Sequence, residues 1–426
     1  MHTLSSLTPR VSTRKLQYQT AASVVIANAI EFFDYFSYAT FITFINRSFF
    51  PSSLGETSSV YSFGLFAAGF LARPIGAMVI GRHADKTGRK PAFLLTSLLV
   101  TIGTLGIAVV PDYSTLGFFA PALVLIARFV QGLAIGAEIG ISASLLLETC
   151  DTRNRSTYAG WLMAGQGFAL VASGLCAATI LHLLKPDAVQ AWGWRIPFGF
   201  ASAMFPLQVY LRRRIPDDKR ERPESSGSPT APRGSRKKYV IAVALIFGGT
   251  VPTYMATYTA TFGVGHFMPS PGFAAIATVA IGLSSLAMSV TGGWLADRFG
   301  RVPIIALARL STVLIALPAF HIAGALANDA ALLALIVLFS GVSALAGGPT
   351  IVDILLMFPR RRRALMLSLV YATGVTLFGG TAPLVVASLD VWAGSHRSAA
   401  LYLVCSGAVT LLALAMNRAK TADGGC

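Results

Sequence analysis

Hydrophobic residues along this chain fall into long runs that short polar segments separate. Twelve runs are close to the ~20 residues that a helix needs to cross a ~30 Å hydrocarbon core. They lie at about 21–44, 59–80, 91–110, 119–148, 157–181, 195–211, 239–263, 273–296, 302–322, 330–357, 364–388 and 397–417. The pattern therefore predicts an all-α polytopic membrane protein with twelve transmembrane helices, called spans 1 to 12.

Composition supports the same class. Of the 426 residues, 54% are hydrophobic and 12% are charged, whereas a soluble domain carries about 25% charged residues. The net charge of +16 could suggest a nucleic-acid partner, but the pattern offers no soluble domain to bind one. Most Lys and Arg residues lie in the tails and in alternate loops, which the positive-inside rule assigns to the cytoplasm. We therefore expect a multi-pass protein of the bacterial inner membrane with both termini cytoplasmic.

One long segment, 212–238, interrupts the hydrophobic runs. It is rich in Pro, Ser, Gly and charged residues, a composition that does not form a packed core. It divides the chain into two halves of six spans each. The predicted units are a cytoplasmic tail at 1–20, a six-helix bundle at 21–211, a cytoplasmic linker at 212–238, a second six-helix bundle at 239–417 and a cytoplasmic tail at 418–426.

A short charged loop occurs in both halves. Gly81–Lys90 reads G-x-x-x-D-x-x-G-R-K, and Gly293–Arg301 repeats the spacing 212 residues later. Leu133–Gly136 in span 4 matches Leu345–Gly348 in span 10 at the same separation. Glycine tolerates positive φ, and Asp with Arg can form a charge latch at helix ends. An ordinary basic turn is the alternative, but the recurrence favours two pseudo-symmetric bundles with a site between them.

The two loops and one acid near them are the predicted gate on the inner side. Glu148 lies level with the first loop, where pairing with basic residues is its simplest role, and Asp353 is similarly placed in the second half. The gating residues are Gly81, Asp85, Gly88, Arg89, Lys90, Glu148, Gly293, Asp297, Gly300 and Arg301.

Four ionisable residues fall near the middle of predicted spans: Glu31, Asp34, Arg73 and Arg128. Such groups are costly in a membrane and are therefore functional candidates. A carboxylate there is least costly when it is protonated or lies beside an arginine, which suits proton coupling. Arginine can bind a substrate carboxylate through two parallel hydrogen bonds. The alternative is that the four groups only neutralise one another.

Other candidates lie deeper in the bundles. Glu138 follows Gly136 in span 4. Tyr254 and Tyr258 are four residues apart in span 7, where they either pack or present hydroxyls to a substrate oxygen. The four cysteines are scattered and form no metal-binding or disulfide pattern. With no nucleophile elbow and no phosphate-binding loop, we expect no cofactor, no metal and no enzymatic activity.

Several stretches together resemble a known family. The loop Gly81–Lys90 resembles the signature of the major facilitator superfamily. The stretches Glu31–Phe36, Arg73–Ala77, Arg128–Gly132 and Trp192–Phe198 resemble its metabolite:proton symporter branch. That branch takes up citrate, tricarballylate, 2-oxoglutarate, shikimate and proline or betaine. Pro111–Tyr113, Ala120–Leu125 and the short C-terminal tail look most like the citrate and tricarballylate carriers.

The resemblance implies a secondary transporter that works by alternating access. We expect proton-coupled uptake of a small carboxylate, with citrate or a related tricarboxylate favoured. Arg128, Arg73, Tyr254 and Tyr258 are the candidate substrate-binding residues, and Asp34 and Glu31 the candidates for proton coupling. The expected partners are an anionic substrate, a proton and the lipid bilayer, with the monomer as the working unit. An exporter of a drug or carboxylate siderophore and a transport-inactive nutrient sensor are the alternatives.

Overall fold

The structure is a computed structural model that describes residues 10–50, 57–213, 235–262, 272–382, 385–386, 388 and 398–423. Throughout these residues the regular secondary structure is helical. The first half contains ten helices: α1 (Arg10–Thr40), α2 (Ile42–Phe49), α3 (Thr57–Thr87), α4 (Arg89–Val109), α5 (Tyr113–Leu116), α6 (Phe119–Thr149), α7 (Arg155–Leu183), α8 (Pro186–Ala191), α9 (Ile196–Ala203) and α10 (Phe205–Arg213).

The described residues of the second half form seven helices. They are α11 (Ser235–Phe262), α12 (Phe273–Phe299), α13 (Arg301–Leu326), α14 (Asp329–Leu345), α15 (Gly347–Leu356), α16 (Arg363–Phe378) and α17 (Ser398–Asp423). Two predicted spans are divided by a single non-helical residue, span 6 at Met204 and span 10 at Ala346.

Eight helical segments within the described residues are long and apolar enough to cross a membrane. They are Arg89–Val109, Phe119–Thr149, Thr152–Leu183, Arg236–Thr257, Phe273–Phe299, Arg301–Leu326, Asp329–Leu356 and Ser398–Arg418. The predicted spans 1, 2, 6 and 11 correspond to α1, α3, α9 with α10, and α16. The first two of these carry buried charges, the third is interrupted, and α16 has 16 residues. In α16 the length, and not the apolar character, is what keeps it out of that group.

Small residues allow the helices to approach closely. Gly76 of α3 faces the backbone of Leu133 in α6, and Gly292 of α12 faces the backbone of Leu345 in α14. A side chain at either glycine would collide with main-chain atoms. The two leucines are the 212-residue equivalents noted in the sequence, so the same helix contact is built twice.

The two halves meet through a further glycine-lined contact between α7 and α12. Gly160, Gly167 and Gly174 of α7, spaced two turns apart, lie against the backbone of α12. A second contact joins α3 to α16, where the Thr376 hydroxyl donates a 2.7 Å hydrogen bond to the Phe70 carbonyl. These contacts bring the interior faces of both bundles together and enclose the site described below.

Two of the four signature glycines adopt the predicted backbone conformation, whereas Gly81 and Gly293 lie within α3 and α12, so that one non-helical residue remains at each predicted loop. Gly88 has φ of 101° and Gly300 has φ of 94°, and each directly precedes a helix, α4 and α13 respectively. These values lie in the region that favours glycine. The equivalent geometry at equivalent positions confirms that the loop is a repeated structural unit. We call the face of the molecule that carries both loops the signature face.

The helices extend beyond the predicted bundle boundaries. Composition assigned Arg212 to the linker, but α10 continues to Arg213, and Arg212 is only 1% exposed. Its assignment to the linker was therefore wrong, because its guanidinium finds carboxylates inside the first bundle. At the other end of the linker, α11 already begins at Ser235. Residues 214–234 lie outside the described residues.

Candidate substrate and proton site

Arg73 and Arg128 are brought together by close packing of α3 and α6. Gly132 faces the backbone of Gly69, and Gly136 faces the backbone of Arg73 itself. The two arginines are 3% and 2% exposed. Because glycine removes the side chains that would separate these helices, both guanidinium groups lie in the interior of the first bundle.

Aromatic rings of α1 and α3 surround the two guanidinium groups. The Cζ atom of Arg73 lies 4.7 Å from the ring centroid of Tyr35 and 4.2 Å from that of Phe70. The Cζ atom of Arg128 lies 3.3 Å from the centroid of Tyr38 and 5.9 Å from that of Tyr35. Tyr35 therefore contacts both cations. Cation–π contacts stabilise a buried guanidinium while leaving its N–H groups available.

Several of these N–H groups have no acceptor. Among the described residues, Nε and Nη2 of Arg73 and Nε and Nη2 of Arg128 are buried without a hydrogen-bond partner. Buried donors that lack a partner carry a desolvation cost. They are also the atoms with which arginine binds a carboxylate through paired hydrogen bonds. The arrangement is suited to an anion that supplies the missing acceptors.

Asp34 is connected to Arg128 through a third residue. Arg128 Nη1 donates to Gln131 Oε1 at 2.9 Å, and Gln131 Nε2 donates to Asp34 Oδ2 at 2.6 Å. The Thr104 hydroxyl also donates to Asp34 Oδ2. Sequence reasoning placed Asp34 beside an arginine and missed Gln131 and Thr104. The spacing of Gln131, three residues after Arg128 on one helix face, was the available signal.

The second half contributes Tyr254 from α11. Its ring packs edge-on against Phe70, with ring centroids 5.6 Å apart, and Phe70 packs in turn against Tyr35 at 5.9 Å. Gly379 lies against the Tyr254 ring and Gly380 against the Phe70 ring, and a side chain at either glycine would collide with them. Tyr254 therefore reaches the arginine site across the interface between halves. The side chain of Tyr258 lies outside the described residues.

Glu31 belongs to a different cluster. Arg212 Nη2 forms an ion pair with Glu31 Oε1 and lies 3.3 Å from Glu138 Oε1, and all three side chains are 1% exposed. The structure thus separates Glu31 from Asp34, although they lie one turn apart on α1. Arg212 was missed as a site residue because composition assigned it to the linker.

Hydroxyl groups complete the cluster of Glu31, Glu138 and Arg212. Ser97 donates to Glu31 at 3.2 Å, and Ser142 donates to Glu138 at 2.9 Å. Arg212 also donates to the Thr96 hydroxyl at 2.8 Å. Four helices, α1, α4, α6 and α10, are therefore tied together in the interior of the first bundle.

On the signature face, one gate contact lies within the first half. Arg89 Nη2 lies 2.5 Å from Glu148 Oε1, with side-chain exposures of 5% and 20%. Gly81 packs against Leu365 of α16, while Asp85 and Lys86 are exposed. The corresponding contact in the second half is looser, since Arg301 Nε is 3.9 Å from Asp353 Oδ1.

Asp297 joins the two halves on the same face. Its Oδ1 accepts a 2.9 Å hydrogen bond from the Ser156 amide, and its Oδ2 accepts a 2.8 Å bond from the Thr157 amide. Ser156 and Thr157 belong to the first turn of α7, where unpaired N–H groups and the helix dipole favour a carboxylate. A carboxylate at the start of a helix is a charge latch at a helix end of the kind that the sequence suggested, and here it links α12 to α7.

The free thiol of Cys150 lies at the end of α6 on this face. Burial raises the pKa of Cys150 to about 11, so the thiol is protonated near neutral pH and is a poor nucleophile. Within the described residues, no group of three or more His, Cys, Asp or Glu side chains could hold a metal ion.

Comparisons with known proteins agree with this architecture. Residues 24–383 match the sequence model of the Major Facilitator Superfamily. The chain is 30% identical over 408 residues to a citrate-proton symporter of Salmonella typhi, with 94% of each chain covered. It is 31% identical over 401 residues to the alpha-ketoglutarate permease of Escherichia coli (strain K12), with 90% of each covered.

Among solved structures, the proton:xylose symporter XylE bound to 6-bromo-6-deoxy-D-glucose superposes with a TM-score of 0.75 at 17% identity. The alignment covers 94% of this chain and 95% of XylE. At this identity the likeness establishes the fold, and it confirms the prediction of twelve helices in two bundles. The family consists of transporters and not of enzymes, and the chain, a multi-pass membrane protein, belongs to the Major Facilitator Superfamily.

Proposed function

We propose that this protein is a proton-driven importer of a small carboxylate, with citrate or a related tricarboxylate as the favoured substrate. One observation carries the proposal: Arg73 and Arg128 flank Tyr35 in the buried interior and leave four N–H-bearing nitrogens without acceptors. The similarity to a citrate-proton symporter and to an alpha-ketoglutarate permease supports the same substrate class.

Substrate binding is proposed to replace the water around the substrate carboxylates by charge-assisted hydrogen bonds from the two arginines. One carboxylate of the substrate accepts from Arg128 and another from Arg73, each in a paired geometry. Tyr254 lies across the interface on Phe70, so a substrate on the arginines is also within reach of the second half. Contact with both halves at once is what links binding to alternating access.

Proton coupling is proposed to run through Asp34. Gln131 bonds both Arg128 and Asp34, so a substrate that draws the Arg128 guanidinium toward itself disturbs the hydrogen bonds of Asp34. A carboxylate that loses such support in a membrane interior favours its protonated form. Substrate and proton then favour one another's binding, which is co-transport by linkage.

The signature face is proposed to be the cytoplasmic gate of an inner-membrane protein. The Arg89–Glu148 pair and the Asp297 contact with α7 close this face. Opening toward the cytoplasm would break the Asp297 contact, because that contact joins the two halves. The Asp297 contact therefore stabilises the closed gate and is absent when the gate is open toward the cytoplasm.

Uptake by purified protein in proteoliposomes tests the substrate and the direction together. With an inwardly directed proton gradient, we expect labelled citrate to accumulate and to be competed by tricarballylate but not by the zwitterion glycine betaine. Accumulation only with the reverse gradient would identify an exporter. Binding of citrate without any transport would identify a sensor. Preferential accumulation of glycine betaine would contradict the carboxylate assignment.

Topology is tested with two cysteine variants on the signature face, Lys86→Cys and Arg298→Cys. In intact cells we expect a membrane-impermeant maleimide to label neither, and in inverted membrane vesicles to label both. Both variants also carry Cys426→Ser, because the predicted cytoplasmic tail places this native cysteine on the same side. Labelling of either variant from outside would reverse the proposed orientation.

A further inference from the structure

Among the described residues, six charged side chains buried in the core of the first bundle divide into two groups of opposite formal charge. Arginine remains protonated in proteins. When every carboxyl group is ionised, the substrate site carries one excess positive charge and the second cluster one excess negative charge. The substrate site comprises Arg73, Arg128 and Asp34. The second cluster comprises Glu31, Glu138 and Arg212, and its two acids are called the glutamate pair.

We propose that Glu31 and Glu138 together hold one exchangeable proton, which makes them a second proton-binding site distinct from Asp34. This inference rests on the proposed function as a proton-coupled carboxylate importer. It adds Glu138 and Arg212 to the coupling machinery.

The geometry of the pair requires one cation to serve two acids. Arg212 Nη2 contacts Glu31 Oε1 and lies 3.3 Å and 3.4 Å from the two carboxyl oxygens of Glu138. Both carboxyl groups therefore meet at one nitrogen, Arg212 Nη2, and share its single positive charge. A carboxylate oxygen only accepts hydrogen bonds, so a bond between two carboxyl groups requires a proton on one of them.

One oxygen is left for that proton. Glu31 Oε2 is buried and has no hydrogen-bond partner within the described residues. A proton on Glu31 Oε2 would allow it to donate to Glu138, while Glu31 Oε1 continues to accept from Arg212. The protonated pair with Arg212 is neutral and has its carboxyl oxygens better satisfied than the doubly ionised pair.

Within the described residues, Arg212 is the one cation that pairs with either carboxyl group. From α4, the Thr96 and Ser97 hydroxyls face the two carboxyl groups, and Ser142 faces Glu138 from its own helix. Hydroxyl donors reduce but do not remove the free-energy cost of an excess negative charge on side chains that are only 1% exposed. Two carboxylates sharing one site in this way bind a proton as a unit.

The position of the pair allows the proton to exchange during the cycle. Arg212 is followed by exposed Arg213 at the end of α10, on the side of the substrate site nearer the signature face. Glu138 follows Ala137, whose carbonyl accepts a 3.0 Å hydrogen bond from Ser368 of α16. Separation of the halves breaks that bond next to Glu138. The main chain at Glu138 is therefore coupled to the motion of the second half.

Linkage connects the pair to substrate binding. Glu31 and Asp34 are separated by a helical rise of about 4.5 Å, so the two clusters interact through a medium of low polarity. An anion bound at Arg73 and Arg128 neutralises the positive excess there. The negative excess at the glutamate pair then becomes more costly, and its proton is held more firmly while substrate is bound.

Transport stoichiometry is the first test. In proteoliposomes, the reversal potential of citrate flux at fixed gradients gives the number of protons carried per citrate. We expect Glu138→Gln to carry one proton fewer than the wild type while retaining citrate counterflow. The matched control is Asp112→Asn, which removes a carboxylate 2.5 Å from Arg195 near the opposite face and should keep the wild-type stoichiometry. An unchanged stoichiometry in Glu138→Gln would overturn the proposal.

A second test needs no substrate. Acid-minus-alkaline infrared difference spectra of the purified full chain should contain a protonated-carboxyl band that is lost in both Glu31→Gln and Glu138→Gln and kept in Asp34→Asn. A band that survives in either glutamine variant would contradict the shared proton. If the wild type accumulates no carboxylate, the proposed function fails on that ground, and the infrared result still judges the proton independently.

Discussion

The two halves of the molecule differ in how they distribute buried charge. Among the described residues, seven charged side chains are buried in the first half, whereas in the second half Arg309 alone is both charged and buried. At the 212-residue separation of the loop signature, Arg73 and Arg128 correspond to Ser285 and Ser340. The second half has hydroxyls where the first half has guanidinium groups.

The proposed gate, by contrast, has its glycine and its ion pair in both halves. Gly88 and Gly300 have matching positive φ values, and the arginine after each glycine faces an acid, Glu148 or Asp353. The duplicated unit therefore keeps its loop geometry in both copies, while the buried arginine pair is present in the first copy and is replaced by serines in the second. A transporter needs two gating surfaces that move against each other but only one place to hold the charge of its substrate.

The comparison predicts its largest effect at Asp34. Asp34→Asn should abolish proton-driven accumulation of citrate while allowing exchange down the citrate gradient, because the asparagine cannot gain or lose the coupled proton. Asp329→Asn, which removes an acid at the start of α14 in the second half, should keep full accumulation. Proteoliposome uptake and counterflow measure both properties. Persistent accumulation in Asp34→Asn would assign the coupled proton elsewhere.

Substrate affinity should depend on Arg128 in the first half. Arg128→Lys keeps the charge but loses the planar fork, so we expect KM for citrate to rise roughly 10- to 100-fold, the equivalent of about 1.5–3 kcal/mol for hydrogen bonds to a charged group. The control is Arg309→Lys in the second half, whose Nη1 donates to the Gly248 carbonyl at 2.5 Å. Equal increases in KM for both variants would remove the distinction between halves.

Gln131 should control the efficiency of coupling. Gln131→Leu breaks the connection from Arg128 to Asp34, so we expect citrate to leak without its proton, with accumulation reduced by roughly 10-fold, about the energy of one such hydrogen bond. Ser343 is the equivalent residue in the second half and donates to the Gly249 carbonyl at 2.6 Å. Ser343→Ala should leave the proton-to-citrate ratio unchanged. Tight coupling in Gln131→Leu would show that Asp34 senses substrate by another route.

The smallest expected effect lies at the gate, which both halves share. Asp297→Asn weakens acceptance from two amides of α7, a loss of about 1 kcal/mol, so turnover should change by roughly five-fold with KM for citrate preserved. Asp85→Asn at the equivalent position should also slow conformational exchange. Stopped-flow binding and initial-rate measurements distinguish turnover from affinity. A large rise in KM in either variant would move that residue from the gate to the binding site.

Much of the architecture was readable from the sequence because it depends on local rules. Hydrophobic runs, loop charge and the repeated glycines identified the spans and the loop at Gly88 and Gly300. Arg73 and Arg128 were recognised because a charged residue within an apolar run is costly in a membrane and therefore marks a functional candidate.

The details of the site depend on contacts between helices and were not readable. Gln131 is an ordinary polar residue in sequence, and only its position between Arg128 and Asp34 gives it a role. Arg212 lies in a run of arginines that resembles a solvated linker. The two acids that pair with it are 74 and 181 residues away along the chain. Long-range pairing of this kind leaves no local pattern.

The central claim is that Arg73 and Arg128 hold the substrate carboxylates. A structure determined by cryo-electron microscopy with citrate bound tests it most directly. We expect one citrate between α3 and α6, with carboxylate oxygens within hydrogen-bond distance of the Arg73 and Arg128 guanidinium groups and with Tyr254 in contact from the second half. Citrate bound elsewhere, with both guanidinium groups still lacking acceptors, would contradict the account.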